Sequence, residues 1–301
     1  MQAPRSTLLL GLLPLAVLAG CSDDPPRPNV LFVSIDTLRA DRLGIYGHDV
    51  PTSPFIDQFA SRAVLFEQCF SQSPKTAPSH MTMMTGLYPE APGVLNFGRL
   101  ESTRWSASVP PLAARLKDRG YRTVAQTEGG NIGPALGFDQ GFDQYEVNDP
   151  SSFAPARKTP SETETGTEPW FLLLHTYAVH DPYVPPLKAL DMIEAPPYDG
   201  PVEHRRKELR TKGTKGSTIQ SLVWDRVAQS SARDRRRLSQ LHDAGIRYDD
   251  EQLRLLFDDL ERLGLTDDTV IVSPPITARS SSSTASTCTT RCTRKCSMSL
   301  S

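Results

Sequence analysis

One apolar run near the start of the chain sets the fold class. The segment 30–35 reads Val-Leu-Phe-Val-Ser-Ile and ends directly on Asp36. Such a run is typical of a strand that is buried on both faces of a parallel sheet. Ligands of open α/β sheets bind beyond the carboxyl ends of the strands, so Asp36 is expected where a metal or phosphate site would form. An aspartate that only caps the following turn is the alternative.

Further apolar segments alternate with amphipathic ones, which favours an α/β sandwich. The polar segments 151–168 and 203–237 are predicted to be loops or excursions. With 301 residues, the chain has room for one large α/β domain or two small ones. The predicted elements are helices over 110–119 and 248–263 and strands over 121–126, 170–175 and 269–273.

The composition is that of a soluble globular protein, with 38% hydrophobic and 23% charged residues. A formal net charge of −2 argues against a nucleic-acid-binding protein, which would normally carry a basic surplus. The acidic residues are unevenly placed, however. All 35 of them lie at or before Asp268, and the segment 274–301 has none.

The first twenty residues are predicted to be an export signal. Arg5 precedes an apolar run over 8–18 that is too short to cross a bilayer comfortably. The run leads into Leu-Ala-Gly-Cys, which resembles a bacterial lipobox and implies cleavage before Cys21 and lipid attachment to its sulfur. Residues 21–28 then form a proline-rich tether. We therefore expect an exported lipoprotein held on a membrane, in the periplasm or at the cell surface. An ordinary secretion signal with a chance cysteine is the alternative.

The other cysteines give no clear metal motif. Cys69 stands alone near a predicted strand end, whereas Cys288, Cys292 and Cys296 are close together in the tail. Their neighbours there are serine, threonine and arginine. A zinc knuckle needs paired cysteines or histidines with a fold around them, so we predict no metal site at this position.

The segment 73–89 carries the most chemical information. It reads Ser-Pro-Lys-Thr-Ala-Pro-Ser-His-Met-Thr-Met-Met-Thr-Gly-Leu-Tyr-Pro. Pro78 in a first helical turn and Gly86 at the end predict a loop that leads into a short helix. The backbone N–H groups at such a helix start favour an anion. The hydroxyl of Thr76, just before the helix, is expected to face a metal and a bound tetrahedral anion, although such a hydroxyl is more often a simple cap.

Several blocks together resemble the sulfatases, a family within the alkaline phosphatase superfamily. The resemblance implies an alkaline-phosphatase-like α/β sandwich, in which a mixed, mostly parallel sheet is flanked by helices and has a metal site at its carboxyl edge. It also implies a hydrolase of sulfate or phosphate esters that uses a divalent metal, Ca or Zn, and acts on a small-molecule or glycan substrate. The matching blocks, in family order, are 29–47, 76–89, 137–145 (Gly-Phe-Asp-Gln-Gly-Phe-Asp-Gln-Tyr), 180–183 (His-Asp-Pro-Tyr) and 248–272.

By this resemblance, Asp36 is a metal ligand and Thr76 is both a metal ligand and the nucleophile. The better-known sulfatases have Cys or Ser at the nucleophile position, within Cys/Ser-x-Pro-Ser-Arg, and convert it to formylglycine. This chain has Thr-x-Pro-Ser-His, so formylglycine cannot form by that route, and His80 replaces the arginine as a substrate-binding residue. Thr37 stands where those enzymes have a second consecutive aspartate. A threonine activated by a metal is similar to the phosphodiesterase and phosphotransferase branches of the superfamily, so esters of sulfur and of phosphorus both stay open.

Two further positions complete the predicted site. His180 matches a family histidine that contacts the ester oxygens of the substrate, and a loop histidine bonded to backbone is the alternative. Asn131 falls where substrate-binding residues occur in the family, although the lysine and histidine motif of well-known sulfatases is missing. Asp41, His48 and His175 are predicted to be structural.

The end of the chain departs from the family pattern. The strand 269–273 should lead into Asp-His-Gly-Glu, but the chain continues Pro-Pro-Ile-Thr-Ala-Arg and contains no acid or histidine from there on. Fourteen of the 26 residues over 276–301 are Ser or Thr, as in a solvated linker. A linker, however, has no reason to begin in the middle of a family motif.

A shifted reading frame explains this tail better. If each true codon takes the last base of one codon and the first two of the next, residues 276–278 permit Asp-His-Gly. Residues 279–295 then permit Glu-Glu-Phe-Phe-Glu-His-Gly-Lys-Tyr-Met-His-His-Thr-Leu-Tyr-Glu-Glu without a stop, which resembles the family's second block of metal ligands. We therefore predict an incomplete catalytic domain over 29–273 and an out-of-frame tail over 274–301, whether by mutation or by sequencing error. An inactive remnant is then the alternative to an active hydrolase.

Overall fold

A seven-stranded mixed sheet forms the centre of the fold. The computed structural model of the chain describes residues 27–90, 105–106, 108–148, 153, 157, 168–212, 231–273 and 286–291. The strands are β1 Asn29–Ile35, β2 Val64–Cys69, β3 Arg122–Thr127, β4 Gln144–Val147, β5 Trp170–Thr176, β6 Thr269–Ser273 and β7 Ser286–Arg291. Their order across the sheet is β2-β7-β6-β1-β5-β3-β4.

The middle of the sheet is parallel. β1 lies between β5 and β6 and is parallel to both, with Val33 opposite Leu174 and Val30 opposite Val270. β3 is parallel to β5 and to β4. Among the strands in the described part of the chain, only β7 runs antiparallel to its neighbours, β6 and β2. The carboxyl ends of β1, β5 and β3 therefore meet at one edge.

Six helices flank the sheet among the described residues. None of them is both long enough and apolar enough to span a membrane, a statement that covers only the described part of the chain. Short 3₁₀ turns lie at Ala40–Arg42, Gly44–Tyr46, Gly130–Ile132 and Pro134–Leu136. The helices are α1 Pro54–Ala60, α2 Thr76–Thr85, α3 Leu112–Lys117, α4 Leu187–Met192, α5 Pro201–Lys212 and α6 Ala232–Arg262.

Alternate side chains of β1 enter two separate cores. Leu31, Val33 and Ile35 are buried in a cluster with residues of α1 and α6 on one side of the sheet. Phe32 is buried on the other side, in a cluster with residues of α2 and α3. Helices on both faces explain why the sequence of this strand is almost continuously apolar.

Most predicted elements are confirmed, although the helix predicted over 248–263 already begins at Ala232, and one interpretation is wrong. The segment 203–237, predicted to be a loop or excursion, contains most of α5 and the beginning of α6. These helices contain few apolar residues that could have predicted them. They pack through a third, smaller hydrophobic cluster. Val202, Leu241 and Ala244 are completely buried in that cluster.

Several predictions fall outside the described residues. These are the export signal, Cys21, most of the tether 21–28, and nearly all of the loop 151–168. In the predicted out-of-frame tail, the structure describes only β7, which continues the sheet beyond β6.

Candidate active site

Asp36 lies at the carboxyl edge of the sheet, where the chain turns sharply after β1. It follows β1 directly, and its side chain is fully buried. Its backbone N–H donates to the Thr176 carbonyl at 3.0 Å, which extends the pairing of β1 with β5 by one residue. The next residue, Thr37, has a φ of +60°, a left-handed conformation that β-branched residues rarely adopt. The chain therefore turns away at once and leaves Asp36 at the position that the sequence predicts.

Thr76 is the first residue of α2. It is 7% exposed, and Lys75 before it occupies the N-cap position without a side-chain capping bond. The capping role considered for Thr76 therefore does not apply. The helix ends, as predicted, at Gly86, whose φ of +72° suits a glycine and whose N–H donates to the Thr82 carbonyl at 2.8 Å.

His80 connects the start of α2 to β1. Its Nδ1–H donates to the Thr76 carbonyl at 2.8 Å, and the hydroxyl of Ser34 donates to its Nε2 at 2.7 Å. Burial first, and then the charge of His175, lower the pKa of His80 to about 4, so the ring is neutral at neutral pH. The prediction that His80 binds substrate needs correction, because both ring nitrogens already have partners inside the protein. His80 joins the start of α2 to Ser34 of β1, two residues before Asp36, and we call this connection the His80 strut.

His175 lies beside Asp36, a placement that the sequence reasoning missed. It is opposite Ser34 in the register of β5 with β1, and its side chain is fully buried. Its Nε2 is 3.9 Å from Asp36 Oδ2, and its ring centroid is 5.1 Å from that of His80. The signal in the sequence was its position at the carboxyl end of an apolar strand, but only the sheet order shows that this strand neighbours β1.

The neighbouring imidazoles hold the Asp36 carboxyl ionised. Burial acts to raise the pKa of Asp36, whereas the interactions with His175, His80 and His180 act together to lower it, and the result is a pKa of about 2. A buried carboxylate at the edge of the sheet is the kind of group that a divalent cation binds.

Tyr177 links the remaining predicted residues to this site. Its ring centroid is 4.4 Å from that of His175 and 5.5 Å from that of His180. Its hydroxyl accepts from the backbone N–H of Asn131 at 3.3 Å, and Asn131 itself is exposed. Nδ1–H of His180 donates to the Asp181 carbonyl at 2.6 Å, so Nε2 is the other nitrogen of this ring.

The described residues supply only one side of a metal site. They offer the buried carboxylate of Asp36 and the hydroxyl of Thr76. In the described part of the chain, no group of three or more His, Cys, Asp and Glu side chains lies close enough together to hold a metal ion. Metal sites of proteins usually have about three or more protein ligands, so these residues alone do not complete one.

The fold is a mixed, mostly parallel sheet flanked by helices, and Asp36 lies at the carboxyl edge of its parallel strands. A model of the family described as "Sulfatase" matches residues 28–273. The chain belongs to the sulfatase family. Members of this family generally use a divalent metal ion.

Individual curated relatives match a little over a third of the chain. Steryl-sulfatase from Rattus norvegicus is 36% identical over 123 residues, which are 38% of this chain and 21% of that protein. N-acetylgalactosamine-6-O-sulfatase from Bacteroides thetaiotaomicron is 32% identical over 127 residues, 38% of this chain and 24% of that protein. The chain thus matches about a quarter or less of the length of these relatives.

A solved structure extends the similarity to most of the chain. Phosphonate monoester hydrolase of Agrobacterium radiobacter has a TM-score of 0.61 and 19% sequence identity to this chain. The similarity covers 89% of this chain and 68% of that one. At this identity, the comparison establishes a shared fold.

Proposed function

We propose that the chain carries the nucleophile half of a metal-dependent active site that hydrolyses sulfate esters. The observation that carries this proposal is the His80 strut. It fixes the start of α2, which bears the Thr76 hydroxyl, against the strand that presents the Asp36 carboxylate. Two groups from distant parts of the chain are thereby held at one edge of the sheet.

Thr76 is the proposed nucleophile. Its Oγ loses its proton and attacks the sulfur, the bond from sulfur to the ester oxygen breaks, and that oxygen takes up a proton and leaves as the alcohol. Water then attacks the sulfur of the Thr76 sulfate ester, which releases sulfate and restores the Thr76 hydroxyl. A divalent cation, Ca or Zn, would supply the charge that lowers the pKa of this hydroxyl when bound at Asp36 and Thr76. His180 is proposed to contact the ester oxygens through Nε2 as the second catalytic residue, since its Nδ1 is bonded to the Asp181 carbonyl. The exposed Asn131 is proposed to bind the rest of the substrate.

The names of the relatives support a sulfate ester of a small molecule or a glycan as the substrate. Phosphorus is the second candidate, because a threonine in place of Cys or Ser cannot become formylglycine and is the nucleophile expected of phosphodiesterases and phosphotransferases. The phosphonate monoester hydrolase fold is compatible with either.

We also propose that the other half of the metal site is encoded after β6 in a shifted reading frame. The family match ends at Ser273, directly before the acid-free segment 274–301. A restored Asp-His pair at this position would follow β6, the parallel neighbour of β1. The alternative is an inactive remnant with half a site.

The proposed location is a membrane surface outside the cytoplasm, with the domain tethered through a lipid on Cys21. The lipobox-like sequence before Cys21 and the proline-rich segment after it support this proposal.

The nucleophile is tested with three variants of the frame-restored chain on 4-nitrophenyl sulfate and bis(4-nitrophenyl) phosphate. Thr76→Ala should abolish turnover of whichever ester is cleaved, and Thr76→Ser should retain part of it. Thr85→Ala is the matched control, because it removes a hydroxyl from the other end of the same helix, where Thr85 donates to the Met81 carbonyl at 2.7 Å. Full activity of Thr76→Ala would refute the assignment.

A further inference from the structure

Asp249 is a buried acid whose oxygens lack hydrogen bonds. The residue is completely buried on α6, and neither carboxyl oxygen has a hydrogen-bond partner within the described part of the chain. Buried polar groups in proteins are nearly always hydrogen-bonded, and an ionised carboxylate without partners costs far more to bury than a neutral carboxyl does. The folded chain therefore holds Asp249 with its proton.

Two carboxylates act on Asp249 from two different elements. Glu128 follows β3 directly, and its carboxylate accepts from the Thr176 hydroxyl at 2.8 Å and from the Tyr177 backbone N–H at 2.9 Å. Asp250 is the next residue on α6. Burial first, and then the charges of Glu128 and Asp250, raise the pKa of Asp249 well above its ordinary value.

The neighbouring groups on α6 do not offset this repulsion. Arg247 is directed to Asp250, with Nη1 3.3 Å from Oδ2, and the same Oδ2 accepts from a backbone N–H of α1 at 3.1 Å. Burial raises the pKa of Tyr248 above its ordinary value, so its hydroxyl stays neutral at pH 8 and below. Loss of the Asp249 proton therefore places an uncompensated negative charge beside two others.

Asp249 lies where α6 packs on the residues that follow β5, which we call the post-β5 segment (176–181). A Cβ at Gly245 would lie 2.9 Å from the Ala178 carbonyl oxygen, and Val179 is completely buried in a cluster with residues of α6. Asp249 is one helical turn after Gly245 and therefore lies on the same face of the helix. A charge at this position acts directly on the contact between the helix and the segment.

We propose that Asp249 is a pH-sensitive latch between α6 and the post-β5 segment. With its proton, Asp249 allows the close contact, and without it the contact opens. The segment carries His180, so opening displaces a residue that the proposed function uses. The latch itself needs neither metal nor substrate, and the proposal therefore does not depend on that function.

The sign of the pH dependence follows from the raised pKa. An opened Asp249 loses its proton from about pH 3.8 upward, whereas the closed contact retains it. The contact is therefore most stable at low pH and weakens as the pH rises, until Asp249 ionises in the closed state as well. For one proton, the opening equilibrium constant increases by up to about tenfold per pH unit.

Hydrogen–deuterium exchange of the full 301-residue chain at pH 5, 6, 7 and 8 measures this opening, after correction for the intrinsic exchange rates. Protection of the post-β5 segment should fall by up to about tenfold per pH unit, whereas protection of β1 should fall less. Asp249→Asn keeps the shape of the neutral acid and cannot ionise, so its segment should show the same protection at every pH. Asp258→Asn is the matched control on the same helix. Its side chain is 54% exposed, and its segment should lose protection as that of the unmodified chain does.

The unmodified chain alone can refute the proposal, whether or not the variants fold. A segment that is unprotected at pH 5, or whose protection does not change up to pH 8, would overturn it. An equal loss of protection in Asp249→Asn would assign the pH dependence to another group. Loss of protection in the segment and in β1 to the same extent would show a buried acid that weakens the whole fold, without a latch.

Discussion

The His80 strut predicts a specific dependence of stability on pH. In the folded chain, burial lowers the pKa of His80 from 6.5 to about 4. Between these values, the unfolded chain binds a proton that the folded chain rejects, so this contribution to stability is complete above pH 6.5 and is lost as the pH falls toward 4. The difference between the unfolded and folded pKa of His80 corresponds to about 3 kcal/mol of folding stability, at 1.36 kcal/mol per pH unit. The lowered pKa of Asp36 changes stability only below pH 3.8, which is outside the pH range in which His80 does so.

His80→Phe isolates this effect. At pH 7 the variant loses the bonds to Ser34 and to the Thr76 carbonyl and leaves both partners unsatisfied, so we expect it to be about 2–4 kcal/mol less stable. Toward pH 4, the unmodified chain loses about 3 kcal/mol that the variant does not lose. The difference between the two chains should therefore shrink to near zero.

The assay is urea unfolding followed by tryptophan fluorescence at pH 7, 5.5 and 4. His204→Phe is the control, because the His204 side chain is 69% exposed and its loss should leave the pH profile parallel to that of the unmodified chain. A stability difference between His80→Phe and the unmodified chain that stays constant from pH 7 to 4 would refute the assignment of His80 as a buried neutral strut.

Two further predictions concern the loop before His180 and the location of the protein. Gly245→Ala should destabilise the fold by about 1–3 kcal/mol in thermal unfolding, because a Cβ there would lie 2.9 Å from the Ala178 carbonyl oxygen, where α6 packs on this loop. Unchanged stability would mean that α6 and the loop are not in close contact. Cys21→Ala should release the protein from the detergent phase into the aqueous phase, and equal partitioning of both forms would end the lipoprotein proposal.

The parallel core was predictable because its signals are local. The apolar runs that form β1, β5 and β6 and the turn at Gly86 are visible without knowledge of their neighbours. The position of Asp36 followed from the rule that sites lie at the carboxyl ends of such strands. Local sequence thus located the edge of the sheet where the candidate site lies.

The roles of the two buried histidines were not predictable from local sequence. His175 reaches Asp36 only because β5 is the neighbour of β1, and His80 is a strut only because Ser34, 46 residues away, supplies its second partner. The helices in 203–237 escaped prediction for another reason. Their buried residues are few among many charges, so long-range packing and not local hydrophobicity decides the structure there.

We propose that this chain holds half of a hydrolytic site whose other half is out of frame. The most direct measurement compares the 301-residue chain with the frame-restored chain for release of 4-nitrophenol from the sulfate and phosphate esters, with and without EDTA. We expect no turnover above background for the 301-residue chain, and EDTA-sensitive turnover of one ester for the restored chain. EDTA-sensitive hydrolysis by the 301-residue chain, lost in Thr76→Ala, would show that its site is complete and would contradict the claim.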